Sequence, residues 1–151
     1  GDRLDTLTTD QSIWAEVLQV NLLAPALLTR RLTKSLQKGQ GAVVNVTSIA
    51  GTRVHRFAGP AYAASKAALS TLTRELASDL GNLGIRVNAV SPGEIKTEML
   101  SLATANEMIH DIPLHRLGDV KEVASAIYFL CCGSASYING AEIEINGGQH
   151  V

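Results

Sequence analysis

The chain lacks most of the features that mark a protein class at a glance. Thirteen basic and fourteen acidic side chains in 151 residues leave a formal net charge of −1, so there is no electrostatic footprint for nucleic acid or an anionic membrane. The apolar stretches around Leu22 to Leu28 and Val123 to Cys132 are too short and interrupted to span a bilayer. Nor does the first follow a charged-then-apolar signal pattern, and a cytoplasmic location is expected. Cys131 and Cys132 are adjacent, without Cys-x-x-Cys spacing, which excludes a disulfide framework and a zinc site. Both are expected in the core at the end of a helix, because free cysteine is among the most buried residue types. His55, His110, His115 and His150 make no metal-ligand spacing. No internal repeat or low-complexity tract is present. The length is that of one domain able to bury a core.

What the chain does have is alternating helix and strand patterns. Thr9-Asp10 precedes an amphipathic run from Gln11 through Leu36 that stops at Lys38-Gly39, a basic last turn followed by glycine. Pro25 lies inside this run and should bend it near Asn21, since proline cannot donate to the carbonyl four residues back. Gly41 to Ser48 reads as a buried, β-branched strand ending in hydroxyls, and Ala50 to Gly59 as a loop. A helix from about Ala61 to Leu80 follows, then a strand at Ile85 to Val90 and a turn at Ser91-Pro92-Gly93. Further on come some helix near Glu98 to Met108, a helix at Val120 to Cys132 and an alternating strand at Ala141 to Ile145. Alternating strand and helix imply an α/β fold with a parallel sheet and right-handed crossovers.

Chemistry concentrates at the start of the long helix. Tyr62 and Lys66 are four residues apart, on one helix face. A free tyrosine has a pKa of about 10, and a fixed ammonium beside it turns the phenol into a usable general acid or base. The pair alone is weak evidence. Ser48 at one strand end, the Tyr62/Lys66 pair and the Pro92-Gly93 turn after the next strand can, however, face one crevice, where open α/β sheets place their ligands.

In these residues the chain resembles the short-chain dehydrogenases/reductases. The resemblance runs through Val20-Asn21-Leu22, Asn45-Val46-Thr47-Ser48, Tyr62 with Lys66, and Arg86 to Gly93. Arg116-Leu117-Gly118, Asn139-Gly140 and Asn146-Gly147-Gly148 add to it. It implies that Ser48, Tyr62 and Lys66 form a catalytic triad which Asn21 completes as a tetrad, through a water that continues the proton relay. It also implies a nicotinamide cofactor, NAD or NADP, held by Tyr62, Lys66, Pro92, Gly93, the Ile95 backbone and Thr97. The reaction would be hydride transfer to or from a small-molecule carbonyl or secondary alcohol. Glu94 departs from the apolar residue common in the family; solvent is its expected destination, because lone carboxylates are seldom buried, with the substrate mouth as the alternative. His55 and His110 fall in segments that approach the active site in the family.

A dinucleotide-binding fold opens with a strand, a Gly-rich turn and a helix that cradle the pyrophosphate, and no such turn occurs in the 151 residues. The expected structure is therefore part of a doubly wound parallel-sheet Rossmann fold, its last three strands and their helices, in one partial catalytic domain lacking the amino-terminal cofactor-binding strands. The strand at Ala42 to Val46 would then be an apolar edge that invites aggregation. The competing reading is a non-catalytic binding or oligomerisation module of the same fold, and within the enzymes a sugar-type epimerase or dehydratase. Apolar residues spread widely around the helices from Ser12 to Gln37 and from Ala61 to Leu80 suggest an intersubunit bundle in a homodimer or homotetramer, with Trp14, Leu18, Leu69 and Leu72 or their neighbours at the axis.

Overall fold

The computed structural model describes residues 5–97 and 107–149. Three parallel strands, β1 (Ala42–Val46), β2 (Arg86–Pro92) and β3 (Glu142–Ile145), form a sheet in the order β1-β2-β3. The amino-terminal helical run comprises α1 (Gln11–Leu18), a π-helical turn (Gln19–Leu23) and α2 (Ala24–Lys38). The long helix α3 (Pro60–Gly81) precedes β2, and α4 (Val120–Cys131) precedes β3. β2 continues through Ser91 and Pro92, so the expected turn begins only at Gly93. The segment expected to be helical near Glu98 to Met108 lies largely outside the described residues.

The sheet alternation sorts the core onto two faces. Val87 packs with Val43, Leu36, Leu76 and Ala77 on the side of α2 and α3. Val90 packs with Val44, Ile143, Ile145, Val123, Ile127 and Leu130 on the side of α4. α4 starts with a capping box: Asp119 accepts from the Lys121 N–H, and Glu122 reaches back to the Asp119 N–H at 2.7 Å. Between the layers, Asn88 donates to the Ile138 carbonyl and accepts from the Ala141 N–H, both at 2.9 Å, tying β2 to the entry of β3. Glu142, on the α3 side of β3, accepts from Thr47 and Ser70.

Three expectations change. Cys131 is exposed and Cys132 half-buried, because Leu130 takes the inward position of α4 and the next residue is turned about 100° around the helix. Leu69 is only 3% exposed within the chain; it faces the sheet and so cannot sit on an outer axis, whereas Trp14, Leu18 and Leu72 are half-buried. The continuous helix Gln11–Lys38 is, by length and composition alone, long and apolar enough to cross a membrane. It nevertheless packs alongside α3 as a layer of the α/β fold.

Candidate active site

The bend at Asn21 has the form of a π turn. Pro25 has no N–H for the Asn21 carbonyl, and the Ala24 N–H reaches back five residues to Gln19. The turn aims the Asn21 side chain at α3, where its amide donates to Ser65 Oγ at 3.1 Å, and Ser65 Oγ donates to the Tyr62 carbonyl at 2.7 Å. Asn21 is thereby bonded to the helix turn that carries Tyr62.

Ser48 sits just beyond β1 in extended backbone and caps a short 3₁₀ turn, Ile49–Gly51, by accepting the Ala50 N–H at 3.2 Å. That turn lies directly on α3: a Cβ at Gly51 would stand 2.8 Å from the Ala67 nitrogen, so only glycine allows the approach. Because Ser48 Oγ accepts from Ala50, its own hydrogen is left to donate elsewhere.

Ser48, Tyr62 and Gly93 line one cavity of about 360 Å³ with His55, Phe57 and Glu94. Tyr62 is 38% exposed there. Lys66 lies one turn along α3, its ammonium 5.5 Å from the Tyr62 ring centre and donating to the Val46 carbonyl at 2.8 Å. Burial lowers the Lys66 pKa from its ordinary value. Lys66 and Asn21 line a second, larger cavity of about 770 Å³ beside β1, whose other walls include Leu28, Val46 and Leu69. The four tetrad positions are thus divided between two adjacent cavities, with Tyr62 and Lys66 as the link.

The segment after β2 is pinned on both sides. Gly93 donates to the Ile145 carbonyl at 3.0 Å, and a Cβ there would stand 2.9 Å from Asn146. Ile95 pairs with Gly118 in an isolated parallel bridge, and Lys96 donates to the Gly118 carbonyl at 2.8 Å. Pro92 ends the strand and Thr97 is exposed.

The matching family model, described as "Enoyl-(Acyl carrier protein) reductase", covers residues 2–150. The chain belongs to the short-chain dehydrogenase/reductase family. Among its relatives in that family is Protein FixR of Bradyrhizobium diazoefficiens, 56% identical over 151 residues, which are 100% of this chain and 54% of FixR. A short-chain dehydrogenase/reductase from Brucella ovis superposes with a TM-score of 0.79 at 53% identity, over 97% of this chain and 61% of that one. A 3-oxoacyl-[acyl-carrier protein] reductase from Brucella melitensis with bound NAD gives a TM-score of 0.94 at 31% identity, over 100% of this chain and 57% of that one. The chain therefore spans about half the length of the curated relatives it matches. The fold class is that of these family members, a parallel α/β sheet with its helices.

One expectation about the site is reversed. Glu94 does not point into solvent: its carboxylate lies 2.6 Å from His55 Nε2, and both side chains are only 13% exposed. The loop after β1 and the turn after β2 bring the two together although they are 39 residues apart, a pairing no local sequence signal announces. His110 is exposed, and His150 lies outside the described residues. The Ser65 bridge between Asn21 and Tyr62 was likewise not legible, since a serine inside a helix pattern carries no signal of its own.

Proposed function

We propose that this site, in the protein as encoded, transfers a hydride between a nicotinamide dinucleotide, NAD or NADP, and the carbon of a carbonyl or secondary alcohol. The observation that carries the reading is that Ser48 and Tyr62 share the cavity at the carboxyl ends of β1 and β2, with Lys66 one helical turn behind. The residues present fit the nicotinamide end of the cofactor. Gly93 lines the cavity and has no room for a side chain, since a Cβ there would collide with Asn146; Lys66 would supply the principal ribose-binding donor, with the Tyr62 phenol beside it; Pro92, the Ile95 backbone and Thr97, on the segment to either side of Gly93, would hold the carboxamide and phosphate. When bound, the cofactor supplies or accepts the hydride.

The remaining work falls to the protein's own groups. The Ser48 hydroxyl, its oxygen already committed to the Ala50 N–H, donates its hydrogen to the substrate oxygen where charge develops. Tyr62 gives that oxygen a proton in reduction and takes it back in oxidation. Lys66 holds its ammonium beside the phenol, anchored on the Val46 carbonyl. Asn21 is a positioning residue that acts through Ser65 on the Tyr62 turn. The protein works in the cytoplasm as a homodimer or homotetramer, joined through the outer faces of α1, α2 and α3.

The test is carbonyl reduction by the full-length encoded protein with NADH and NADPH. Tyr62→Phe is expected to lower kcat by about 10²- to 10⁴-fold, the usual contribution of a positioned acid. A variant within about threefold of the wild-type rate contradicts the mechanism.

A further inference from the structure

At the mouth of the Ser48–Tyr62 cavity stands a pair of side chains for which the proposed proton transfer has no use. His55 and Glu94 both line that cavity. Glu94 also lines the neighbouring one, of about 410 Å³, beside Arg116, Glu144 and Asn146. The Phe57 N–H donates to His55 Nδ1 at 3.3 Å. A ring nitrogen that accepts a hydrogen bond carries no proton, so the pattern assigns the imidazole proton to Nε2 and directs it at Glu94 Oε1.

In that arrangement His55 is the donor and Glu94 the acceptor. Arg56, the adjacent cation, is engaged elsewhere: its guanidinium lies over the Phe57 ring at 5.3 Å and pairs with Glu107 at 3.2 Å. Burying a carboxylate costs free energy that an apolar residue at the same place would not, so Glu94 is a poor choice if its only task were to tie two loops together. A carboxylate offers about four lone-pair sites, and His55 occupies one. The others suit a donor entering from the cavity.

We propose that Glu94, oriented by His55, is the specificity determinant of this cavity, recognising a hydrogen-bond donor on the substrate, an ammonium or a hydroxyl group near the reacting carbonyl, and disfavouring alkyl groups and anions. The inference rests on the function proposed above. A site built to hydrogen-bond a substrate group discriminates strongly against the isostere lacking it, because its own polar group is then left unpaired.

Aminoacetone, hydroxyacetone, butanone and pyruvate are near-isosteric methyl ketones that differ in this one group, and the test compares their kcat/KM with the full-length encoded protein. The wild type is expected to favour aminoacetone and hydroxyacetone over butanone by about tenfold or more, with pyruvate poorest. Glu94→Leu should collapse the preference for both donors. The nearly isosteric Glu94→Gln, which removes charge but keeps an oxygen acceptor, should lose the aminoacetone preference more than the hydroxyacetone one. His55→Gln should reduce both preferences partially. Turnover of all four ketones at similar kcat/KM, or a donor preference that survives both Glu94 variants, overturns this inference while leaving the proposed activity standing. Turnover of none of them by the wild type with either cofactor counts against both.

Discussion

β1 and β2 are made of nearly the same kinds of residue and occupy different surroundings. In β2, Val87, Asn88, Ala89 and Val90 are each 0% exposed, whereas Val46 in β1 is 42% exposed. The difference lies in the neighbours. β2 has a strand on each edge and helices over both faces. β1 has β2 on one edge only among the described residues, and the helix beside it turns Leu27, Leu28 and Leu32 outward. The lesson is that a β-branched run states its need for cover but not whether the cover is supplied. The candidate site lies where the two environments meet, with Tyr62 in the cavity beside the Gly93 turn that follows β2 and Lys66 bonded to the Val46 carbonyl on the open edge.

The largest effect should come from cutting into the packed side. Leu130→Ala, at a fully buried position on α4, is expected to cost about 2–5 kcal/mol in urea unfolding, while Leu28→Ala on the open side should change stability by less than about 0.5 kcal/mol. Equal losses would erase the contrast between the two regions. The open side should show itself in association instead. The 151-residue chain alone is expected to bind a hydrophobic dye and to self-associate at micromolar concentration, and Val46→Lys combined with Leu28→Glu should reduce both without loss of stability. Dye binding unchanged by those substitutions would place the sticky surface elsewhere.

The smallest effect concerns a pair remote from both strands. Arg116 and the Asp119 N–H pull the Glu122 carboxyl from 4.5 down to about 2. A carboxyl depressed in the folded state contributes stability above its unfolded value, and that contribution is lost as pH falls from 4.5 toward 2. Because the pair is exposed, its share is small. Arg116→Ala should make the stability curve slightly shallower between those limits; a slope unchanged within error would show that the pair contributes nothing measurable.

Much of the fold was legible because periodicity and stop signals are local. The long helix from about Ala61, the bend near Asn21 ahead of Pro25 and the alternation Glu142-Ile143-Glu144-Ile145, with both isoleucines facing α4, could all be read from a few adjacent residues, though not the π form of the bend. Ser48, Tyr62 and the Pro92-Gly93 turn were expected to face one crevice, and Ser48, Tyr62 and Gly93 do line one cavity. What escaped was non-local. Leu69 faces inward because α3 crosses the sheet with that stripe down, Cys131 faces outward because Leu130 claims the core, and His55 meets Glu94 across two loops. None of these is encoded in a window of neighbouring residues; each depends on how separate elements are stacked.

The proposed mechanism divides the labour across the two cavities, Tyr62 serving the proton and Lys66 serving both the phenol and the cofactor. Calorimetric titration of NADH or NADPH into the full-length encoded protein, alongside kcat for the same samples, tests it most directly. Tyr62→Phe should abolish turnover with Kd for the cofactor within about threefold of wild type, whereas Lys66→Ala should lower kcat and weaken the cofactor by about tenfold or more, the loss of one to two charge-assisted hydrogen bonds. A Lys66→Ala protein that binds cofactor as tightly as wild type, or a Tyr62→Phe protein that retains turnover, would contradict it.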